Sequence, residues 1–203
     1  QGIAPEHILM LTFTNKAARE MKARIDNLLG NNISSQLWMG TFHSIFSSIL
    51  RIEAEHIGYT SDFTIYDAQD SRNLIRSIVK EMKLDDKVYS ATAIASRISL
   101  AKNNLITAER YNAKREIIIE DTAAKRPLVG EIYKKYSEQC KKSNVMDFDD
   151  LLLNMNILFR DFPDVLDKYR DKFSYVLVDE YQDTNYAQYL IIKRLSEIHQ
   201  NIC

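Results

Sequence analysis

Apolar positions fall along this chain in two patterns. Short unbroken runs at Ile8 to Thr14 (Ile-Leu-Met-Leu-Thr-Phe-Thr), Gln36 to Met39 and Tyr175 to Val178 (Tyr-Val-Leu-Val) suit strands buried on both sides of a parallel sheet. Segments between them repeat apolar residues at three and four positions, the spacing of one helix face. Ala18, Met21, Ile25 and Leu28 predict a helix over 15–29, with Thr14 or Asn15 as its N-cap and Gly30 as its stop. After the second run, Gly40 to Ser44 reads as a turn. Ile45 to Ile57 reads as a helix with Ile45, Ile49 and Ile52 inward and Gly58 as its stop. Short strands alternating with helices predict a parallel, three-layer α/β sheet.

From Tyr66 to Asn144 the strand pattern disappears. Asp67 and Asp70 open a helical pattern that runs to Leu84 through Leu74, Ile78, Val79 and Met82. Ser90 caps a second helix to about Lys102, and Asp121 or Thr122 opens a longer one to Lys142, its start moved towards Arg126 by Pro127. The domains expected are therefore an α/β part from 1–65 and 145–203 and an all-helical insertion at 66–144. In the returning part, Asp147 caps a helix to Arg160 with Asp150 at its third position, and another helix follows Pro163 to Lys172. Residues 186–198 predict an amphipathic helix with Leu190, Ile191, Leu195 and Ile198 packed, and Asn201 to Cys203 can begin a further strand.

Composition adds bounds. Hydrophobic residues make up 45% and charged residues 27% of the 203, enough apolar content for a core. No run approaches the roughly 18 apolar residues of a membrane span, and Gln1 to Glu6 has neither the basic nor the apolar part of a leader, so a soluble, intracellular, cytoplasmic chain is expected. Cys140 and Cys203 belong to no metal-binding spacing, so two reduced thiols are expected. The net charge of −1 hides an asymmetry: residues 66–144 carry 16 basic and 11 acidic side chains, and the remainder is acidic. A basic module suggests a polyanionic partner, although a lysine-rich helical surface can equally be solvated.

The sharpest change of polarity is at Asp179-Glu180, directly after the Tyr175 run. Strand ends of this kind face the ligand crevice of open α/β sheets. In phosphoryl transfer one carboxylate can hold Mg²⁺ while a second orients or deprotonates the attacking water. The acids can also simply precede a helix capped by Asp183, Thr184 or Asn185. A phosphate cradle of the form G-x-x-x-x-G-K-[ST] is absent: glycines 2, 30, 40, 58 and 130 are isolated and none precedes Lys-Ser or Lys-Thr.

Three stretches together resemble the superfamily 1 DNA helicases of the UvrD/Rep type. Leu11-Thr12-Phe13-Thr14-Asn15-Lys16-Ala17-Ala18-Arg19-Glu20-Met21 resembles that family's motif Ia, Gly40-Thr41-Phe42-His43-Ser44 its motif Ib, and Val178-Asp179-Glu180-Tyr181-Gln182-Asp183-Thr184-Asn185 its motif II. Met146 to Leu152 is similar to a further family segment, and the resemblance covers essentially the whole chain. It implies a partial P-loop NTPase (RecA-like) sheet with an inserted all-α subdomain, belonging to an ATP-driven motor that moves on single-stranded DNA, usually 3′ to 5′, and unwinds duplex DNA. By the same resemblance Asp179 holds the Mg²⁺ of ATP, Glu180 activates the hydrolytic water and Gln182 links nucleotide state to DNA. Phe13, Thr14, Asn15, Thr41 and His43 line the strand-binding groove, where an aromatic face and polar groups can hold a strand without reading its sequence. Lys102, Lys114 and Arg115 are candidate backbone contacts in the basic insertion.

The resemblance places the P-loop ahead of Gln1, the third motif beyond Cys203, and a second RecA-like domain elsewhere. The chain is therefore expected to be an internal fragment that neither binds ATP tightly nor hydrolyses it. Two other readings compete. A metal-dependent nuclease needs Asp147, Asp149, Asp150, Asp179 and Glu180 to converge on two metals. A DNA-binding module needs salt-sensitive affinity that survives loss of Glu180.

Overall fold

The computed structural model describes residues 2–30 and 33–203; Gln1, part of the opening stretch read above for a leader, lies outside them. In chain order the elements are β1 (Ile8–Thr12), α1 (Asn15–Leu29), β2 (Trp38–Thr41), α2 (Phe42–Ile52), β3 (Thr64–Tyr66), α3 (Ala68–Glu81) and α4 (Ala91–Asn103). There follow α5 (Ala108–Ala113), α6 (Arg115–Ala123), α7 (Val129–Lys142), β4 (Val145–Asp147), α8 (Phe148–Asp161), α9 (Pro163–Lys172), β5 (Tyr175–Val178) and α10 (Tyr186–Ser196). They divide into two compact units, Gln1–Ile57 with Asn154–Cys203, and Gly58–Leu153.

The first unit is α/β. Its three strands are parallel in the order β2-β1-β5. Leu9 lies opposite Trp38 and Val176, and Leu11 opposite Gly40 and Val178. Leu9, Leu11 and Val176 are fully buried, as strands covered on both faces require. Beyond β5, Ile202 pairs in parallel with Val176, so the last residues do begin a further strand. Phe42, Phe46 and Ile49 of α2, Leu158 and Phe159 of α8, Tyr169 of α9 and Ile191, Ile192 and Leu195 of α10 complete the core.

The second unit packs α3, α4, α5 and α7 around Ile75, Ile78, Ile94, Ile98, Tyr133 and Tyr136. It is wider than the 66–144 insertion and is not all-helical. β3 and β4 pair in parallel, Thr64 opposite Val145 and Tyr66 opposite Asp147. Asn144, at φ +53°, turns the chain into β4, and its carbonyl accepts the Thr64 amide. A ladder of three residues per strand is too short to show a period of two.

Other boundaries moved for local reasons. β1 stops at Thr12, because Thr14 serves α1 as N-cap, accepting the Ala17 amide at 3.1 Å. No turn separates β2 from α2: Thr41 is at once the last strand residue and the N-cap, accepting the Ser44 amide at 3.2 Å. α2 ends at Ile52, which is exposed, and a 3-10 turn follows. α10 ends at Ser196, leaving Ile198 exposed rather than packed. The helix expected from Asp121 is two: α6 ends before Lys125, at φ +59°, and α7 starts at Val129, beyond Pro127. Asp121 lies inside α6 and is buried, taking hydrogen bonds from Arg97 Nε and the Tyr111 hydroxyl.

Candidate functional site

Parallel strands in matched register place like-numbered ends in one layer. Thr12 lies opposite Thr41, and the Leu11–Val178 pair is extended one residue by the Asp179 amide, which donates to the Leu11 carbonyl at 2.9 Å. The carboxyl ends of β1, β2 and β5 thus form one rim. Phe13, Thr14 and Asn15 leave it from β1, Thr41 and His43 from β2, and Asp179, Glu180 and Gln182 from β5.

Asp179 is half-buried, and the hydroxyl of Thr12, itself buried, donates to its Oδ2 at 3.4 Å. In the sequence Thr12 stands out only as part of a motif. Its position opposite Thr41 at the end of β1 is the signal that makes it a neighbour of the acid. Glu180 is exposed and sits in the left-handed region at φ +52°, ψ +47°. A non-glycine residue held there costs about 1–2 kcal/mol, and such strain gathers at functional sites. The left-handed step ends β5 and turns the chain into a 3-10 turn over Tyr181–Asp183. Gln182 Nε2 donates to Glu180 Oε2 at 2.5 Å, tying the two side chains together. Of the three capping candidates, Asn185 caps α10 in a reciprocal box with Gln188, so the acids do precede a capped helix, as the simpler reading of this stretch expects.

The other wall of the rim is aromatic and polar. The Phe13 ring is half-buried and meets the Phe42 ring, tilted, at 5.2 Å, and Phe42 meets Phe46 edge-on at 5.8 Å, so an inner aromatic cluster supports Phe13. Thr14 and Asn15 are exposed at the start of α1. Gly40 has a packing reason to be glycine: a Cβ there would stand 2.6 Å from Ser44 Oγ, whose hydroxyl donates to the Thr41 carbonyl at 2.9 Å. The close passage of β2 over the first turn of α2 sets where Thr41 and His43 lie.

The rim carries hard oxygen donors suited to a divalent cation. Among the described residues no group of three His, Cys, Asp or Glu side chains could hold a metal ion on its own. A cation bound by one or two carboxylates and completed by substrate phosphates fits this sparse set, since Mg²⁺ is commonly held that way. A two-metal nuclease cluster does not fit. Asp147 and Asp150 are committed elsewhere, in an ion-pair network around Lys102, whose Nζ lies 2.7 Å from Asp147 Oδ2 and 2.8 Å from Asp150 Oδ1. Lys102 is 1% exposed, so it is no surface contact for a nucleic acid backbone. Burial opposes its charge, but the two carboxylates outweigh that and raise its pKa well above the lysine range. Burial and the Asp147 charge push Asp150 up to about 6, while Asp147, despite burial, is held below its usual value by Lys102. The same acids also form the expected cap of α8, the Asp150 amide donating to Asp147 Oδ1 at 2.8 Å. Lys114 and Arg115 remain exposed.

A family model described as the UvrD/REP helicase N-terminal domain matches residues 1–203. The chain is 41% identical over 201 residues to the ATP-dependent DNA helicase PcrA of Bacillus subtilis, covering 99% of this chain and 26% of that protein. It is 40% identical over 203 residues to PcrA of Staphylococcus epidermidis, covering 100% of this chain and 27% of the relative. With PcrA of Leuconostoc citreum the identity is 39% over 201 residues, 99% of this chain and 26% of the relative. The chain therefore spans only 26–27% of the length of these curated relatives.

Proposed function

We propose, since the chain belongs to the UvrD/REP helicase N-terminal domain family, that it is part of the motor of an ATP-dependent DNA helicase that moves 3′ to 5′ on a single strand and unwinds duplex DNA in the cytoplasm. The observation that carries this reading is the single rim of β1, β2 and β5, with the Asp179–Glu180 pair at one strand end and Phe13, Thr41 and His43 at the others. Asp179, with the Thr12 hydroxyl beside it, would hold Mg²⁺, which when bound supplies positive charge to the phosphates of ATP. Glu180, exposed and fixed by its left-handed backbone, accepts a proton from the attacking water. Gln182, hydrogen-bonded to Glu180, reports the state of that carboxylate to the segment that follows. Phe13 offers its free face to a base, and Thr14, Asn15, Thr41 and His43 hold the strand's backbone.

No phosphate cradle lies in these 203 residues, so the chain by itself neither binds ATP tightly nor turns it over. The nuclease alternative has no support in the geometry. No helix among the described residues is long and apolar enough to cross a membrane.

The strand-binding half of the reading is tested on the chain itself by fluorescence anisotropy with a labelled single-stranded oligonucleotide. Phe13→Ala and His43→Ala each weaken binding, and Phe13→Ala costs about 1–3 kcal/mol if a base stacks there. Glu180→Gln leaves affinity unchanged. Binding that is indifferent to both rim substitutions removes the rim as the strand site.

A further inference from the structure

Within the helical unit, α6 carries apolar surface that the fold leaves uncovered. Ile117, Ile118 and Ile119 are consecutive, and at about 3.6 residues per turn they spread over about 200° of the helix, more than one packed face can cover. Ile117 packs against the helical core, while Ile118 and Ile119 are 43% and 58% exposed. On α4, Leu100 is 55% exposed. An open groove of about 180 Å³ runs between these helices over Leu100, Ile106, Tyr111 and Ile117. The charged side chains that line it, Arg97 and Glu120, pair with each other at 2.8 Å, so the groove itself is close to neutral. Its end at the start of α6 is different. Lys114 stands three residues before Ile117, and Arg115 three and four before Ile118 and Ile119, which places both cations in line with the apolar positions. Both are exposed, and neither has an ion-pair partner among the described residues. No side chain caps α6, so its first amides add positive charge there, against Glu116 as the one acid of that turn.

We propose that the groove between α4 and α6 docks an amphipathic helical segment of a partner protein, whose apolar side chains cover Leu100, Ile117 and Ile119 and whose acidic end meets Lys114 and Arg115. Two observations favour such a segment over other occupants. Exposed cations alone would serve a phosphate backbone, but a phosphate backbone gains nothing from a floor of leucine and isoleucine, whereas a helix laid in a groove uses both. The charge of the surrounding module matches as well. Residues 66–144 carry 16 basic and 11 acidic side chains, an excess that attracts an acidic segment from a distance and orients it. All of these residues belong to the Gly58–Leu153 unit, so the proposal is independent of the rim of β1, β2 and β5.

The test is fluorescence anisotropy of a labelled synthetic amphipathic helix, with leucines at every third and fourth position and glutamates clustered at one end, titrated with the 203-residue chain. A control peptide carries lysines in place of the glutamates. The glutamate peptide is expected to bind, and the lysine peptide to bind about tenfold more weakly. Leu100→Ser is expected to weaken the glutamate peptide about tenfold, and Ile119→Ser is a second, separate loss of apolar contact in the same direction. Lys114→Gln combined with Arg115→Gln is expected to weaken it about fivefold and to remove most of its sensitivity to salt. All four substituted side chains are exposed, so the circular dichroism of each variant is expected to match the unsubstituted chain. No binding of the glutamate peptide, or equal binding of the two peptides, overturns the proposal. An oligonucleotide that is weakened by the Lys114 and Arg115 substitutions while the peptide is not assigns those cations to nucleic acid and overturns it too. Self-association that Leu100→Ser abolishes, with no peptide bound, assigns the groove to a second copy of the chain and has the same consequence.

Discussion

Replacing Lys102 by Met keeps the volume of the side chain and removes its charge from between Asp147 and Asp150. Both carboxylates lie within 2.8 Å of Nζ, and Tyr136, whose hydroxyl donates to Asp147 Oδ2 at 2.8 Å, is the remaining donor there from α7. Breaking a buried pair from one side costs about 3–5 kcal/mol, because the partner is left charged and dry. Here two partners are left, partly relieved by Tyr136, so a loss of about 3 kcal/mol at pH 7.5 is expected. The readout is amide hydrogen exchange in α4 and α7, which reports opening of this helical unit directly. A loss of 3 kcal/mol speeds exchange on the order of 100-fold, at about 1.4 kcal/mol per tenfold. The sign of the pH dependence is fixed as well. Without Lys102 burial and mutual repulsion raise both carboxylates, so the folded state binds more protons than the unfolded chain, and the variant regains stability as pH falls from about 7.5 towards 5. A loss under about 1 kcal/mol, or one indifferent to pH, refutes the argument that Lys102 is the counter-ion of two buried acids.

Asp150→Asn acts in the opposite sense. In the unsubstituted chain the pKa of Asp150 is raised to about 6, so its ionisation destabilises the fold as pH rises through the interval from its unfolded value to 6. The amide variant is expected to be more stable by on the order of 1 kcal/mol at pH 7.5 and to lose that advantage below about pH 4, measured by urea unfolding at both pH values. Gly40→Ala drives Ser44 out of its hydrogen bond with Thr41 and is expected to cost about 1–2 kcal/mol; adding Ser44→Ala, which removes the atom met at 2.6 Å, recovers part of the loss in the same assay.

What the sequence revealed followed the strength of each local signal. Tyr175–Val178 and Asn15–Leu29 match their sequence-predicted bounds, because an unbroken apolar run and a capped three-four stripe are complete in themselves. The end of β2 lies beyond the sequence-predicted Met39, since Gly40-Thr41 carries turn residues whose use in a strand depends on Ser44 packing beneath Gly40. β3 and β4 were invisible for a different reason: three residues of each meet only across about 80 residues of intervening chain, and nothing local announces the pairing. The basic charge of the insertion makes Lys102 a candidate backbone contact, but it is buried. A better signal was present, because Lys102 continues the stripe of Ile94 and Ile98 at intervals of four, and a lysine on a buried stripe needs an acid. At the rim of β1, β2 and β5 the places of the three motifs at strand ends are legible in the sequence, but the Thr12–Asp179 contact and the left-handed Glu180 need three dimensions.

The central claim is that Glu180 serves ATP hydrolysis at a rim that also holds DNA. The most direct measurement is DNA-stimulated ATP turnover in a polypeptide that joins this chain to a phosphate cradle and the rest of the motor, comparing Glu180→Gln with the unsubstituted protein. Turnover is predicted to fall by about 10²–10⁴-fold, the range for loss of a general base, while ATP and single-stranded DNA binding persist. Turnover within a few-fold of the unsubstituted protein contradicts the claim.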